Sequence, residues 1–220
     1  MMVKTITRLE AQKRNPNRVN IHLDGEYAFA LEKIVAAWLY TGQTLSDEKI
    51  LELQSKDSLE KVYNHALRMI TRRNHSRQEV MQKLRMKGFS DPEIEAVIDR
   101  LQNASLLDDT AFARQWVENR STFRPRSHRA LAFELRHKGL AGAEIESALS
   151  AAESDDVLAY RLGSKYAARL NRLDQESFRE KLYAYLGRYG FSYGVITPVY
   201  QKLWQELRAR QKSESENEEF

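Results

Sequence analysis

A 51-residue period constrains the fold of this chain more than any other feature. Three segments end in similar ways, "LRMKGF", "LRHKGL" and "LGRYGF", and their glycines, Gly88, Gly139 and Gly190, follow one another at intervals of 51 residues. A fixed period of about this length is typical of repeat proteins, in which each small unit buries its apolar face against its neighbours. The sequence therefore predicts three tandem copies of one unit.

Apolar residues recur at fixed distances from each of these glycines. Because residues four apart lie on one face of a helix, each glycine is predicted to separate two amphipathic helices. A glycine just beyond a helix end can adopt a left-handed backbone conformation, so it ends the first helix of each pair. The equivalent apolar positions are Val80, Leu131 and Leu182, then Leu84, Leu135 and Leu186, then Phe89, Leu140 and Phe191, then Ile94, Ile145 and Ile196, and finally Ile98, Leu149 and Tyr200.

A further amphipathic helix precedes each pair, so each unit is predicted to contain three helices. Acidic residues that can cap a helix stand at or just before the start of "SLEKVYNHALRMITRRN", "DDTAFARQWVENR" and "DDVLAYRLGSKYAARL". In the second of these, Phe112, Trp116 and Val117 are expected to face the core. The expected caps are Asp57 with Glu60, Asp108 or Asp109, and Asp155 or Asp156, and the pairs Ser76 with Glu79 and Ser90 with Glu93 are expected to cap later helices of the first unit.

The first fifty or so residues follow a different period. Apolar and polar residues alternate in "RVNIHLDGEYAFAL" on both sides of Asp24 and Gly25, a pair that is a strong signal for a β-hairpin turn. The segment "VKTITRLE" is predicted to add a third strand, and "LEKIVAAWLY" and "SDEKILELQ" are predicted to form two short helices. This small sheet is expected to cap the first repeat.

These patterns together predict a mainly α protein. Three tandem three-helix repeats are expected in an elongated, curved arrangement, preceded by a small N-terminal β-hairpin or three-stranded sheet with two short helices. The expected domains are residues 1–55 for the N-terminal extension, 56–105, 106–154 and 155–211 for the three repeats, and 212–220 for an acidic disordered tail.

The residue types argue against a catalyst and against a secreted or membrane protein. The chain contains no cysteine and 30% charged residues, no stretch is long and apolar enough to cross a membrane, and the first residues lack the apolar centre of a secretion signal. There is no glycine-rich phosphate loop and no hydrolase or metalloprotease motif, and the five histidines lack metal-ligand spacing. We therefore expect a cytoplasmic protein that is not an enzyme and uses no metal or cofactor.

Basic residues gather in one part of the first and second repeats. They stand at the end of the first helix, in the following loop and along the second helix, whereas the last helix of each of these repeats is acidic. Such segregation favours a polyanionic or acidic partner, and contacts to phosphates would bind nucleic acid without reading its sequence. The candidate partner- and nucleic-acid-binding residues are Arg72, Arg73, Arg77, Lys83, Lys87, Arg120, Arg124, Arg126, Arg129, Arg136 and Lys138.

A cluster of aromatic residues in the third repeat has two interpretations. Tyr183, Tyr185, Tyr189, Phe191 and Tyr193 could stack on nucleic-acid bases. Tyr183 and Phe191, however, lie in or near the apolar register of the repeat. We therefore expect most of this cluster to pack in the core.

The chain resembles the RecX family of regulatory proteins. The resemblance is most specific from about residue 57 to residue 149, where it rests on "ALRMITRRNHSRQEVMQKLRMKGF", "VIDRLQNASLLDDTAFARQWVENR" and "RALAFELRHKGLAGAEIESAL". It continues more weakly through the third repeat, and the N-terminal hairpin resembles the extension of longer members. Two departures stand out: Pro125 and Arg126 replace an expected glycine-containing turn, and Gly187 and Tyr189 replace the Arg and Lys of the other repeats.

The resemblance implies a regulator of homologous recombination and the SOS response. Such a protein binds the groove of the RecA filament on DNA, inhibits RecA ATPase, strand exchange and filament extension, and contacts single- and double-stranded DNA without sequence specificity. We expect this chain to act as a monomer, with its basic residues as the electrostatic contact, Asp108 and Asp109 capping a helix and Trp116 holding a core. The positive residues of the repeats are expected to form one continuous edge.

Two other functions are consistent with parts of the pattern. A nonspecific DNA-binding protein without a recombinase partner would need the same basic residues. A sequence-specific transcription factor would insert the last helix of a three-helix unit into the major groove, and the acidic last helices disfavour that because phosphates would repel them.

Overall fold

The computed structural model describes residues 3–218, with side chains described as far as residue 213. The chain divides into two compact units, with the boundary between Leu107 and Asp108. The first unit contains a sheet and the first repeat, and the second contains the second and third repeats. The mainly α fold with a small N-terminal sheet confirms the predicted fold class.

An antiparallel sheet begins the first unit. Its strands are β1 (Val3–Ala11), β2 (Arg18–Leu23), β3 (Glu26–Glu32) and β4 (Thr44–Ser46), in the spatial order β3-β2-β1-β4. The predicted hairpin is confirmed: Leu23 pairs with Glu26, and Asp24 and Gly25 between them have φ values of 51° and 93°. The sheet has four strands rather than the predicted three, because β4 also pairs with β1. With 3 residues, β4 is too short to show an alternating pattern in the sequence.

The two short helices predicted after the hairpin differ from the structure. Helix α1 (Lys33–Ala36) is a single turn, whereas the second segment is the beginning of α2 (Asp47–Ile70), a helix of 24 residues that continues into the first repeat. The cap of α2 is Ser46, whose hydroxyl accepts a hydrogen bond from the Lys49 amide at 3.2 Å. The expected capping box of Asp57 and Glu60 is therefore wrong, because both residues lie in the middle of this helix.

Asp57 instead joins α2 to the sheet. Its carboxylate is buried and accepts hydrogen bonds from the Glu32 amide at 2.6 Å and from both terminal nitrogens of Arg18 at 3.3 Å. The Lys61 ammonium lies 2.7 Å from the same carboxylate. Strand β2, the end of β3 and helix α2 are thus connected through one charged group, which is satisfied on every side.

The first repeat consists of α2, α3 (Arg77–Met86) and α4 (Asp91–Asn103). The predicted capping boxes are confirmed at the starts of α3 and α4, where Glu79 and Glu93 accept the amide N–H of Ser76 and Ser90. Ser58 on α2 donates a further hydrogen bond to Glu93, and these bonds from Ser58 and Ser90 lower the pKa of Glu93.

In the described part of the second unit, six helices form two sets of three. The second repeat contains α5 (Asp109–Phe123), α6 (His128–His137) and α7 (Gly142–Ser150), and the third contains α8 (Asp155–Ala167), α9 (Gln175–Arg188) and α10 (Tyr193–Glu218). Asp108 caps α5, as predicted, by accepting hydrogen bonds from the amides of Thr110 and Ala111. Helix α8 is capped by Ser154 rather than by an aspartate.

The glycine period produces the predicted helix ends. Gly88, Gly139 and Gly190 have φ values of 85°, 82° and 90°, in the left-handed region. Four residues earlier, Leu84, Leu135 and Leu186 are completely buried in the three repeat cores. One apolar register therefore builds three separate cores, as the spacing predicts.

The second and third repeats contact each other directly. The Ser127 amide donates to the Tyr189 carbonyl at 3.1 Å, and the His128 amide donates to the Asp155 carboxylate at 2.7 Å. The Arg161 guanidinium donates to the Ser121 carbonyl at 2.5 Å. Asp155 thus holds the start of α6 instead of capping its own helix.

Helix α10 continues to Glu218, where the sequence predicted a disordered tail from residue 212. Glutamate and lysine favour helix, and extending an existing helix requires no new nucleation. The last two residues of the predicted tail lie outside the described residues. No helix in the described part of the chain is long and apolar enough to cross a membrane.

Candidate functional site

The basic residues predicted to bind a partner occupy two places, one in each unit. In the first unit they lie at the end of α2, in the loop before α3 and along α3; in the second they lie at the end of α5, in the loop before α6 and along α6. Each group forms a local cluster, and its members differ in how firmly the fold holds them. The two clusters are described separately below.

In the first unit, two arginines are paired with carboxylates. Arg73 lies 3.1 Å from Glu79, and Arg77 lies 2.7 Å from Glu95 on α4. Glu79 also serves the capping box of α3, so Arg73 is fixed beside the start of that helix. These pairs order the loop, but they also neutralise part of its charge.

Lys83 is held by a histidine instead of a carboxylate. Its ammonium lies 3.0 Å from Nε2 of His75, and Nδ1 of His75 lies 2.8 Å from the carbonyl oxygen of Arg73. Because a carbonyl can only accept and an ammonium can only donate, Nδ1 carries the proton and Nε2 accepts. Desolvation lowers the pKa of His75, and the charges of Arg73 and Lys83 lower it further, so the ring is neutral at pH 7.

Two predicted residues of the first unit have no such partner. Arg72 and Lys87 are exposed, and neither makes an ion pair or side-chain hydrogen bond among the side chains that the structure describes, those of residues 3–213. They stand at the ends of α2 and α3, on either side of the paired residues. Both remain available to an anion.

In the second unit, Glu134 on α6 organises the cluster. Its carboxylate accepts hydrogen bonds from Nε1 of Trp116 at 2.9 Å and from Nε of Arg120 at 3.0 Å, and Nε of Arg126 lies 3.2 Å from its other oxygen. The glutamate side chain is 18% exposed, so these contacts are only partly screened by water. Helix α5, the loop and helix α6 meet at this one carboxylate.

Trp116 supports the cations as well as the core. The indole packs against the core of the second repeat, as expected, but it is only half-buried. The Arg120 guanidinium lies 4.6 Å and the Lys138 ammonium 4.3 Å from the centre of the ring. These cation–π contacts fix the positions of two predicted residues. A cavity of about 280 Å³ opens beside the ring and is bordered by Arg120, Phe123 and Arg124.

The three remaining candidate binding arginines of the second unit are exposed. Arg124, Arg129 and Arg136 make no ion pair or side-chain hydrogen bond within the described residues. Two aromatic residues that the sequence analysis missed accompany them: Phe123 is 77% exposed and Phe133 is 60% exposed. A signal was present for Phe133, which falls outside the apolar register and so had to face away from the core. Phe123 gave none, because it stands seven residues after Trp116 and so shares a helical face with it.

Phe133 does not stand alone on the outer face of α6. Its ring lies 4.2 Å from the ring of His137, one turn further along the helix. Arg129 and Arg136 stand four residues before and three residues after Phe133, so they share this face. The outer face of α6 therefore combines aromatic rings with unpaired positive charge, a composition suited to a protein or nucleic-acid partner.

The aromatic cluster of the third repeat is mostly core. Phe191 is buried, and Tyr183, Tyr185 and Tyr189 pack against the same core, as expected. Tyr185 stacks on Tyr166 with the ring centres 3.9 Å apart, and burial raises the pKa of its phenol. Tyr193 differs because it is 78% exposed.

The described residues contain no group of three or more histidine and acidic side chains placed to hold a metal ion. The two clusters contain cations in two different settings. Some cations are fixed by carboxylates, a histidine or an indole, and others project freely. Such an arrangement can bind an anionic surface.

Three family models match the chain. The model described as the regulatory protein RecX N-terminal domain matches residues 4–46, the RecX first three-helix domain matches residues 63–101, and the RecX second three-helix domain matches residues 108–149. These ranges cover the sheet, the first repeat from the second half of α2 to α4, and the second repeat. The same two basic clusters lie within or beside the two three-helix matches.

Similar proteins span most of the chain. The regulatory protein RecX of Bacillus subtilis (strain 168) is 32% identical over 205 residues, which cover 91% of this chain and 78% of the relative. That of Clostridium botulinum (strain Eklund 17B / Type B) is 30% identical over 200 residues, which cover 88% and 93%.

Two solved structures are also similar. A crystal structure of regulatory protein RecX has a TM-score of 0.74 and 25% identity, and the match covers 90% of this chain and 99% of that one. The crystal structure of RecX from Lactobacillus salivarius has a TM-score of 0.61 and 26% identity, covering 67% and 97%.

Proposed function

The chain belongs to the RecX family of regulatory proteins, and from this premise we propose that it regulates the recombinase RecA. The proposed action is to bind in the groove of the RecA–DNA filament, inhibit ATPase and strand exchange, and limit filament extension. It would thereby adjust homologous recombination and the SOS response in the cytoplasm. The proposed active form is a monomer.

The observation that carries this proposal is the exposed basic face of the second repeat. Arg124, Arg129 and Arg136 make no ion pair within the described residues, and Phe123 and Phe133 are exposed in the same region. Exposed apolar rings of this kind often mark a binding surface. The positive charge beside them suits an acidic protein surface or DNA phosphate. Arg72 and Lys87 offer the same charge in the first repeat.

The three repeats are proposed to act as modules of one interface. With the domain boundaries of the sequence analysis, residues 56–105, 106–154 and 155–211 would each contact a different part of the filament. Binding to DNA within that filament would use phosphates rather than base edges, because the last helices of the first two repeats, α4 and α7, carry acidic residues. We therefore expect no sequence specificity on single- or double-stranded DNA.

The decisive experiment reverses the unpaired charge. The variant Arg124→Glu, Arg129→Glu, Arg136→Glu leaves Arg126 unchanged, because Arg126 pairs with Glu134 and its loss would disturb packing. RecA ATPase on single-stranded DNA is titrated with each protein. We expect wild type to inhibit at far less than one copy per RecA, and the variant to require about tenfold more protein, because each reversed charge repels the anionic partner.

A matched control reverses three exposed cations of the N-terminal extension, outside the three repeats, Lys4→Glu, Lys13→Glu and Arg14→Glu. The control should inhibit like wild type, and both variants should keep the far-UV circular dichroism of wild type. If the first variant inhibits at full strength, the second repeat is not the contact surface.

A second candidate function is nonspecific DNA binding without a recombinase. The exposed arginines and phenylalanines of the second repeat favour it, because they would suit a single strand of DNA in the absence of RecA. The same titration separates the two functions. A competitor for DNA must coat the strand before the ATPase falls, whereas a regulator of the filament acts at low occupancy.

A further inference from the structure

The first unit has a surface that the proposed function does not use. Two adjoining cavities of about 1130 Å³ and about 590 Å³ lie where the start of β2 and helix α1 face helices α2 and α4. They share Ile34, Glu60 and Arg100 as a common border. None of the candidate basic residues of the repeats lines either cavity.

The larger cavity has a positive lining. Arginines and lysines there outnumber carboxylates by five to two, the cations being Arg18, Lys33, Lys61, Arg68 and Arg100 and the carboxylates Glu32 and Glu60. Three of these cations are paired, Arg18 and Lys61 with Asp57 and Arg100 with Glu60. Among the described residues Lys33 makes no ion pair, and Arg68 contacts Nδ1 of His65 at 3.1 Å rather than a carboxylate. Uncompensated charge therefore faces the cavity, and an anion would bind there favourably.

The smaller cavity presents an exposed aromatic ring. Trp38 is 88% exposed, and Ile34 on the shared border is 63% exposed. Tyr40, two residues beyond Trp38, is 64% exposed. A flat indole held open to solvent beside a basic cavity provides a platform on which a planar ring can stack.

We propose that this surface binds a short segment of single-stranded nucleic acid. The phosphates occupy the larger cavity near Lys33 and Arg68, and a base stacks on Trp38. The cavity exceeds the usual range of roughly 300 to 1,000 Å³ for small-ligand sites, so it suits an extended chain. Asn15, Asn17 and Asn64 also line it and provide the donors and acceptors that sugars and bases require. An acidic peptide would match the charge but would leave the indole without a planar partner.

Binding is measured with the full chain, a fluorescently labelled single strand of twenty thymidines, and no RecA. All proteins carry Arg124→Glu, Arg129→Glu and Arg136→Glu, so that the second unit contributes little. Adding Trp38→Ala should weaken binding about tenfold, as loss of one base stack does. Adding Lys33→Gln and Arg68→Gln should reduce the salt dependence by roughly 0.7 in log–log slope for each phosphate that is no longer neutralised.

Matched controls use residues of the first unit that line neither cavity. Tyr27 is 59% exposed and the side chain of Arg8 is 62% exposed, so Tyr27→Ala and Arg8→Gln remove comparable groups from open surface. Both should bind like the parent protein. Photo-crosslinks from a strand containing 5-bromouracil should map to residues 33–40.

Unchanged affinity in the Trp38→Ala protein, or crosslinks that map elsewhere, would overturn the proposal. So would a glutamate-rich peptide of equal charge that displaces the strand and quenches Trp38 more strongly, since that outcome assigns the surface to a protein partner. Because RecA is absent, failure here leaves RecA regulation intact. Failure of the ATPase experiment likewise leaves this proposal intact.

Discussion

The repeat of the first unit and the two repeats of the second share one apolar register, yet equivalent residues have different surroundings. His75 and Lys83 of the first repeat correspond, 51 residues later, to Arg126 and Glu134 of the second. Both pairs join the loop to the second helix, through a neutral histidine in one case and an ion pair in the other. The buried pattern fixes the scaffold, and the partly buried polar positions are where the repeats diverge.

The glycines show the same contrast. A side chain added at Gly88 would meet no atom within 4 Å, whereas one added at Gly190 would lie 2.7 Å from Oγ of Ser127 and 2.9 Å from Cβ of Ala130. Ser127 already caps α6 by accepting the Ala130 amide at 3.2 Å, so it cannot move aside without losing that bond. The third repeat packs against the second at this point, whereas the space around Gly88 is open.

The largest expected effect on stability comes from substituting the two glycines by alanine. Gly88→Ala should cost about 1 to 2 kcal/mol, because alanine is strained in the left-handed region. Gly190→Ala carries the same strain together with overpacking against the second repeat, and should cost about 3 kcal/mol or more in total. Urea unfolding followed by circular dichroism measures both. An equal loss of stability in the two variants would show that Ser127 and Ala130 move to accommodate the added methyl group at little energetic cost.

The next effect concerns the organising carboxylate. Glu134→Ala leaves the indole N–H and two guanidinium groups without their acceptor, and should destabilise the second unit by about 2 to 3 kcal/mol. The equivalent change in the first repeat, Lys83→Ala, removes only a hydrogen bond to a neutral ring and should cost about 1 kcal/mol or less. Thermal unfolding of the two variants provides the comparison. Glu134→Gln keeps an acceptor oxygen, so its destabilisation should lie between those of the two alanine variants.

The smallest effect is a pH dependence confined to the first repeat. The pKa of His75 is lowered in the folded state, so below about pH 6.5 the unfolded state takes up a proton that the folded state resists. Stability is therefore fully present above that pH and declines as the pH falls toward the folded pKa, by up to about 1 kcal/mol near pH 5.5.

Replacing His75 by asparagine removes this titration, so the difference in unfolding free energy between pH 7.5 and pH 5.5 should shrink relative to wild type. The second repeat has Arg126 in this place and supplies no such dependence. An unchanged difference in the asparagine variant would mean that His75 takes up its proton equally in both states.

Local signals predicted the repeats, and longer-range contacts account for the differences. The register of Leu84, Leu135 and Leu186 and the glycine caps follow from spacing along one helix, so the sequence alone was sufficient. Asp57 was misassigned because a carboxylate able to cap a helix can equally bind Arg18, 39 residues earlier in the chain. Spacing contains no information about such a partner.

The candidate site was predicted in composition more than in geometry. Charge segregation along the sequence predicted where the cations lie, but it did not predict which of them are paired. Glu134 forms ion pairs with Arg120 and Arg126, whereas Arg124 forms no ion pair within the described residues. The sequence analysis missed the exposed Phe133, although its place outside the register was a sufficient signal. Its contact with the His137 ring depends on side-chain rotamers, which the helical period does not specify.

The buried carboxylate of Asp57 bears on how such a chain could be shortened or recombined. Exchanging the hairpin for one without an arginine at position 18 would leave the Asp57 carboxylate buried with Lys61 as its remaining ionic partner, at a cost of about 3 to 5 kcal/mol. A viable exchange would have to replace Asp57 at the same time. The extension and the first repeat are thus one inheritable module, and a swap between relatives should keep them together.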